Sequence, residues 1–244
     1  MDPMTLISSL QHPLVKHLVK LRTNKNYRNS EKRVLIVGEN LVNEIYPINL
    51  FTVQNSFSNI NAEKHYIVTD AIMKKITGLE QPEGIAAEVI MPPTASFETV
   101  KRLVVLDGVS DPGNMGTLIR SALALGWEGV YIISNSCDPY NDKALRAAKG
   151  ATFRLPLSFG DWDNLKHIIS KNKLTPLAAD MDGISIKNLE QQKGIALVLG
   201  NEAHGISLEA KKICKTIAVP MSGKMESLNV AVAGGILMYC LENQ

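Results

Sequence analysis

The chain is short of cysteine, of aromatic side chains, of net charge and of long uncharged apolar runs, and each shortage removes a class of function. Its 244 residues hold three cysteines, Cys137, Cys214 and Cys240, far apart and without a CxxC pair. Such an odd, scattered set excludes a disulfide framework and points to a reducing compartment. No histidine stands at zinc spacing from a cysteine, and His204 is alone in its Gly-flanked loop, so no metal is expected. Asp107, Asp111, Asp180 and Asp182 do not follow the spacing of a known cation-binding loop. No uncharged apolar run reaches the ~20 residues of a membrane span. Met1-Asp2-Pro3-Met4-Thr5 lacks the charged and apolar regions of a secretory leader. A cytoplasmic protein without membrane contact is therefore expected.

Two nucleotide-binding motifs are also missing. The glycines of the first informative loop fall at Gly108, Gly113 and Gly116, which retains only the GxxG half of a dinucleotide fingerprint. A phosphate loop would need Lys-Ser/Thr after Gly113, where Asn114-Met115 stands. Ser227 lacks a GxSxG elbow, which removes the common hydrolase arrangement. Nicotinamide, NTPase and serine-hydrolase chemistry are set aside.

What is present is an ordinary globular composition, 45% apolar and 20% charged, long enough for one large or two modest domains. The net charge of +2 is unevenly placed. Lys16, Lys20, Arg22, Lys25, Arg28, Lys32 and Arg33 fall between Leu14 and Arg33 against one acid, Glu31. Clustered cations mark contact with a phosphate backbone or the solvated face of a helix whose other side carries Leu14, Leu18 and Leu21. Tyr27 is the one aromatic nearby, so base stacking is not indicated.

Periodicity predicts helix over Ile7–Leu21, then strand 34–37, helix 40–46, strands 51–54 and 65–68, helix 70–76 and strand 84–90. Met91-Pro92-Pro93-Thr94-Ala95-Ser96-Phe97 reads as a linker. It sets a boundary near residues 91–99, with domains taken as 1–95 and 96–244. The second half alternates more regularly. Strands are predicted at 101–106, 129–133, 153–157, 175–179, 195–199 and 216–219. Helices are predicted at 114–125, 142–149, 162–170, 208–213 and 228–241. Apolar strands separated by helices signal an α/β fold with a parallel sheet covered on both faces.

Three turn-rich segments follow such strands: Asp107–Arg120, Leu199–Gly205 and Val219–Ala231. Strand ends in open α/β sheets are where ligands bind, so three such loops point to one composite pocket. In the first, Asn114 reads as the N-cap of a helix. Arg120 is there the single cation among Gly116, Thr117 and Ala124, either a routine surface arginine or a group at a close approach. Glu202 either caps the following helix or contacts a ligand. Gly234 and Gly235, each costing roughly 1 kcal/mol inside a helix, allow tight packing within the domain or across a dimer.

In order, the segments resemble the three motifs of the SpoU (TrmH) branch of the SPOUT RNA methyltransferases. Asn114-Met115-Gly116-Thr117-Leu118-Ile119-Arg120 matches N-x-G-x-x-x-R, and Gly200-Asn201-Glu202-Ala203-His204-Gly205 matches G-x-E-x-x-G. Val219 through Val230 resembles the P-M-x-G-x-x-x-S-L-N-V segment. The resemblance covers residues ~101–244, and more weakly the first half is similar to a ribosomal-protein-like substrate-binding domain.

The resemblance implies a C-terminal trefoil knot, one of the rare exceptions to unknotted chains. It implies S-adenosylmethionine held by Leu199, Gly200, Val219, Met221 and Leu228, and a homodimer that completes the active site. The reaction would be methyl transfer to a ribose 2′-hydroxyl, with large-subunit rRNA favoured. A tRNA substrate or a non-catalytic RNA-binding protein of the same fold would be the alternatives. Arg120, Asn114, Glu202, Ser227 and Asn229 become the catalytic set. A guanidinium stays protonated, so stabilisation of the developing alkoxide is favoured over proton abstraction. With RNA as partner, Lys16, Lys20, Arg22, Lys25 and Arg28 become the expected docking residues.

Overall fold

The computed structural model describes residues 5–53 and 60–242. The leader-like test on Met1–Met4, and Gln54 of the expected 51–54 strand, lie outside the described residues. Contacts divide the chain into two units, Met1–Pro92 with Tyr140–Arg146, and Pro93–Pro139 with Ala147–Gln244.

The first unit runs β1 (Thr5–Ile7), α1 (Pro13–Thr23), α2 (Lys25–Glu31), β2 (Arg33–Val37), α3 (Glu39–Glu44), β3 (Asn49–Thr52), β4 (Lys64–Val68), α4 (Asp70–Thr77) and β5 (Ile85–Ile90). Its five strands form a mixed sheet in the order β1-β4-β3-β5-β2. The expected helix over Ile7–Leu21 is corrected here: Ile7 belongs to β1, in register with Val68 of β4, and its side chain is buried. The helix begins only at Pro13, where a proline suits the first turn because no N–H partner is needed. Val15, Leu18 and Leu21 then pack with Phe51, Ile72 and Ile76 in the core of this unit. Helix α2 was not expected; Asn24 caps it by accepting the Tyr27 N–H.

The second unit runs β6 (Arg102–Leu106), α5 (Pro112–Ala124), β7 (Gly129–Ile133), then α6 (Asp142–Ala148), which spans the division between the units. It continues with α7 (Ala151–Arg154), β8 (Leu157–Gly160), α8 (Trp162–Asn172), β9 (Thr175–Ser185), β10 (Ile195–Leu199), α9 (Leu208–Ile213), β11 (Lys215–Ala218) and α10 (Val230–Glu242). The expected strand over 153–157 is instead the helical turn α7 followed by β8. Gly150, at φ 86°, restarts the chain as a helix and so displaces the strand.

All six strands pair in parallel in the order β11-β9-β10-β6-β7-β8. Leu103, Val105, Ala196 and Val198 pack with Trp162, Leu165 and Ala210 of α8 and α9. On the other face α10 fits against Leu199 and Leu118 at Gly234, where a Cβ would lie 2.5 Å from Leu118 Cδ2 and 2.7 Å from Leu199 Cδ1. The close packing inferred for Gly234 is thus internal to the unit, whereas Gly235 faces open space.

Strand β6 begins the sheet in its middle. The chain builds outward through β7 and β8 on one side, then returns to lay β10, β9 and β11 on the other. The order reverses between β6 and β10, and loops at such a switch point splay apart to leave a crevice at the carboxyl strand ends. Among the described residues no helix is long and apolar enough to cross a membrane.

Candidate active site

The loops after β6 and β10 meet at that switch point through backbone and short side chains. Asp107 N–H donates to Leu199 O (2.9 Å), and Asn201 Nδ2 donates to Gly108 O (2.8 Å). Asn201 Oδ1 also accepts from Ala203 N and His204 N, closing a tight turn. Asp107 Oδ2 accepts from Ser207 N (2.9 Å), the residue that caps α9. The turn leaves no room at Gly200: a Cβ would stand 2.4 Å from the backbone of Gly205. Gly200→Ala is expected to cost about 1–3 kcal/mol by overpacking, read as a lower midpoint in urea denaturation. An unchanged midpoint would show the turn to be slack.

Glu202 projects from this turn to the first loop. Its Oε2 accepts from Ser110 N (3.0 Å) and Ser110 Oγ (2.7 Å). Its Oε1 accepts from Asp111 N (3.1 Å) and Asn114 Nδ2 (3.0 Å). Of the two roles open to it, capping of α9 is not the one found, because Ser207 fills that position. Partial burial taken alone would raise the carboxyl pKa, but hydrogen bonds from Asn114 and from the Ser110 hydroxyl and backbone outweigh it and hold the group at about 2.

Asn114 is not the N-cap of α5. Asp111 caps the helix by accepting the Asn114 N–H (2.9 Å), with Pro112 next, a pairing that outcompetes a cap three residues later. The Asn114 side chain is thereby released to bridge loops. Its Nδ2 donates to Glu202, and its Oδ1 accepts from Asn229 Nδ2 (3.0 Å). Asn229 Oδ1 in turn accepts from Ala231 N (2.9 Å) at the start of α10. Each amide has its donor and acceptor sense fixed by its neighbours, from the carboxylate to the helix N-terminus. One file of hydrogen bonds thus ties all three motif loops together.

The other expected site residues fall as follows. Arg120 is exposed on α5, with no ion pair or hydrogen bond to any described residue. Ser227 is exposed in the third loop and lies outside the hydrogen-bond file. Met221 and Leu228 are exposed apolar side chains of that loop, Leu199 is buried, and Val219 is half-buried. Among the described residues no hydrogen bond ties 220–228 to the rest of the chain, so its backbone N–H and C=O groups stand open beside apolar side chains. Cys137, whose N–H donates to Val109 O, is pushed up to about 11 by burial and by Glu202, Asp138 and Asp111, which excludes a thiolate nucleophile there.

In the first unit Lys16, Lys20 and Lys25 are exposed and Arg22 is half-buried. Arg28 is the exception to the expected docking set. It is 3% exposed, and its Nη1 donates to Leu21 O (2.6 Å) and Arg22 O (2.9 Å), the free carbonyls at the end of α1. It is a structural cap. Sequence reasoning gave no role to Ser110, Asp111 or Asn201; the Asp-Pro pair was the available signal for the Asp111 cap.

Residues 101–239 match the model of the SpoU rRNA Methylase family. The 23S rRNA (guanosine(2553)-2'-O)-methyltransferase RlmP of Bacillus subtilis is 32% identical, over 98% of this chain and 99% of its own. The AdoMet-bound rRNA methyltransferase from Sinorhizobium meliloti has a TM-score of 0.87 at 23% identity, covering 98% of both chains. The SpoU methyltransferase AviRb from Streptomyces viridochromogenes, in complex with AdoMet, has a TM-score of 0.85 at 21% identity over 96% of this chain and 98% of that one. At these identities the two structures establish a common α/β fold.

Proposed function

The chain belongs to the SpoU rRNA methylase family, and on that footing we propose that it transfers a methyl group from S-adenosylmethionine to a ribose 2′-hydroxyl of large-subunit ribosomal RNA. The observation that carries this reading is the Glu202–Asn114–Asn229 file, which brings three distant motifs into one site at the sheet's switch point. The RlmP relative of Bacillus subtilis acts on a guanosine 2′-oxygen of 23S rRNA, which supports the substrate class.

The cofactor fits the third loop. Open backbone groups over 220–228 beside exposed Met221 and Leu228 suit a nucleoside, which offers a hydrogen-bonding edge and an apolar face. Gly200, Leu199 and Val219 form the strand-end side of the same seat. When bound, S-adenosylmethionine supplies an electrophilic methyl group on a sulfonium centre. The protein supplies the environment of the attacking oxygen. Glu202 is no general base: a carboxyl held at about 2 with both oxygens engaged has neither basicity nor a free lone pair to offer. It anchors the start of α5, from which Arg120 presents a permanent cation to the oxygen as negative charge develops. The hydroxyl proton passes to water. Ser227 is assigned to orientation of the ribose or the cofactor loop.

The finer architecture follows the same reading. Strand β11 lies at the sheet edge beyond β9, while α10 packs on α5 and β10. Residues 219–229 therefore run back from the sheet edge across the strand ends toward β10, a path that supports a trefoil knot. The mixed-sheet first unit is assigned as the ribosomal-protein-like RNA-binding domain, with Lys16, Lys20, Arg22 and Lys25 on its RNA face, and the second as the catalytic domain.

A homodimer would complete the site. Val232, Ile236 and Tyr239 recur along one exposed face of α10, beside Gly235 with open space above it. Ile236→Asp is expected to shift the protein to monomer in sedimentation velocity and to remove methyl transfer. A dimer that persists would place the interface elsewhere.

The test of the function is transfer of labelled methyl from S-adenosylmethionine to purified 23S rRNA and, separately, to tRNA. The modified nucleotide should resist alkaline hydrolysis, since that cleavage needs a free 2′-hydroxyl. Label in tRNA alone would overturn the substrate class, and label in neither would overturn the activity.

A further inference from the structure

The surface of the first unit carries a wide-open, shallow cavity of ≈ 660 Å³ whose lining includes Arg22, Lys74, Lys75, Gly78 and Glu80. Arg22 stands in the last turn of α1, and Lys74 and Lys75 in the last turn of α4. Helix α4 ends at Gly78, at φ 69°, and the Arg22 guanidinium lies directly on that glycine: a Cβ there would be 2.2 Å from Nη1. Arg22 Nε is closed off from solvent without a hydrogen-bond partner. No carboxylate pairs with this guanidinium among the described residues. Lys75 Nζ donates to Leu10 O (2.9 Å), which fixes it beside the cavity with two protons still unassigned. Lys74 is exposed, and exposed Glu80 is the single acid in the lining.

Cations in the last turn of a helix complement its dipole, which accounts for Lys74 and Lys75 taken alone. The same dipole argument covers Arg22 on its own helix α1, but it does not account for the guanidinium lying on the C-cap glycine of α4, with its Nε buried and no counter-ion beside it. Three cations thus converge on one cavity with a single exposed acid to offset them. A planar guanidinium fork with flanking ammonium groups is the arrangement that binds phosphate oxygens. We propose that this cavity seats a backbone phosphate of the RNA substrate, with Arg22 as the fork and Lys74 and Lys75 as flanking charge. The inference rests on the RNA-methyltransferase reading and extends the RNA face from α1 to the C-terminal end of α4.

The experiment is anisotropy titration of a labelled 23S rRNA fragment with the intact protein, at several salt concentrations. Each phosphate contact removed lowers the slope of log affinity against log salt by about 0.7–0.9. Arg22→Gln and Lys74→Gln are each expected to weaken binding several-fold at low salt and to flatten the slope by that amount. Glu80→Gln is expected to tighten binding. Lys74 and Glu80 are exposed, so those two variants keep the test intact even if Arg22→Gln misfolds. Folded variants with wild-type affinity and slope overturn the phosphate seat and leave the RNA reading standing. A wild-type protein that shows no salt-dependent RNA binding overturns the RNA reading itself.

Discussion

Arg120→Ala is expected to lower methyl transfer by roughly 10²–10³-fold, the range seen when one donor aimed at a developing oxyanion is removed. The argument is one of placement. Arg120 is exposed and bonded to no described residue, so its loss should leave folding stability within about 0.5 kcal/mol of wild type. A residue that contributes so little to the fold, on a helix whose start is anchored by a carboxylate and two amides, is free to act on substrate. Binding of S-adenosylmethionine by calorimetry should persist in the variant, because the proposed cofactor seat lies on other loops. Arg120→Lys should recover only part of the rate, since an ammonium keeps the charge without the planar fork. Near-normal turnover by Arg120→Ala would falsify the role.

Much of the second unit was legible in the sequence because its central strands, β6, β7 and β10, are almost wholly apolar. Strands 129–133 and 195–199 were expected with the bounds observed, for both are buried along their whole length and end at glycines or polar turns. Elements failed where local signals competed. Ile7 carries the apolar spacing of the helix that follows it, but pairing with Val68 claims it for a strand, a contact sixty residues away that no local pattern encodes. Residues 153–157 were expected as a strand, but Gly150 in the left-handed region starts a helical turn over Ala151–Arg154 that takes up its first half.

The site divides in the same way. That Asn114, Glu202 and Asn229 belong together was read from motif resemblance. How they join was not, because it depends on a cap. Asn114 and Asp111 are both good N-cap residues, and only the fold decides that Asp111 takes the position and frees the amide. Arg28 was misread for a related reason. Its neighbours in sequence are solvated lysines, and the carbonyls that draw it inward lie six and seven residues back, at the end of a helix whose terminus was itself unknown.

Glu202→Gln should have the second-largest effect, a loss of transfer of about 10–100-fold, equivalent to roughly 1.4–2.8 kcal/mol at the transition state. The carboxylate accepts from four donors, and an amide in its place must turn an N–H toward at least one of them. Asn114 and Asn229 lose their fixed sense when that anchor goes, so α5 and the third loop part. The pH dependence gives the clamp a signature that an uncharged contact would lack. The folded-state pKa of about 2 lies below the usual carboxylate value of about 4.3 for the unfolded chain. The stabilisation is therefore complete above about pH 5 and is lost as pH falls through the folded value near 2. The difference in denaturation midpoint between wild type and Glu202→Gln should be constant from neutral pH to about 5 and should shrink below it. A difference that stays level down to pH 3 would mean that the three loops are held by something other than this charge.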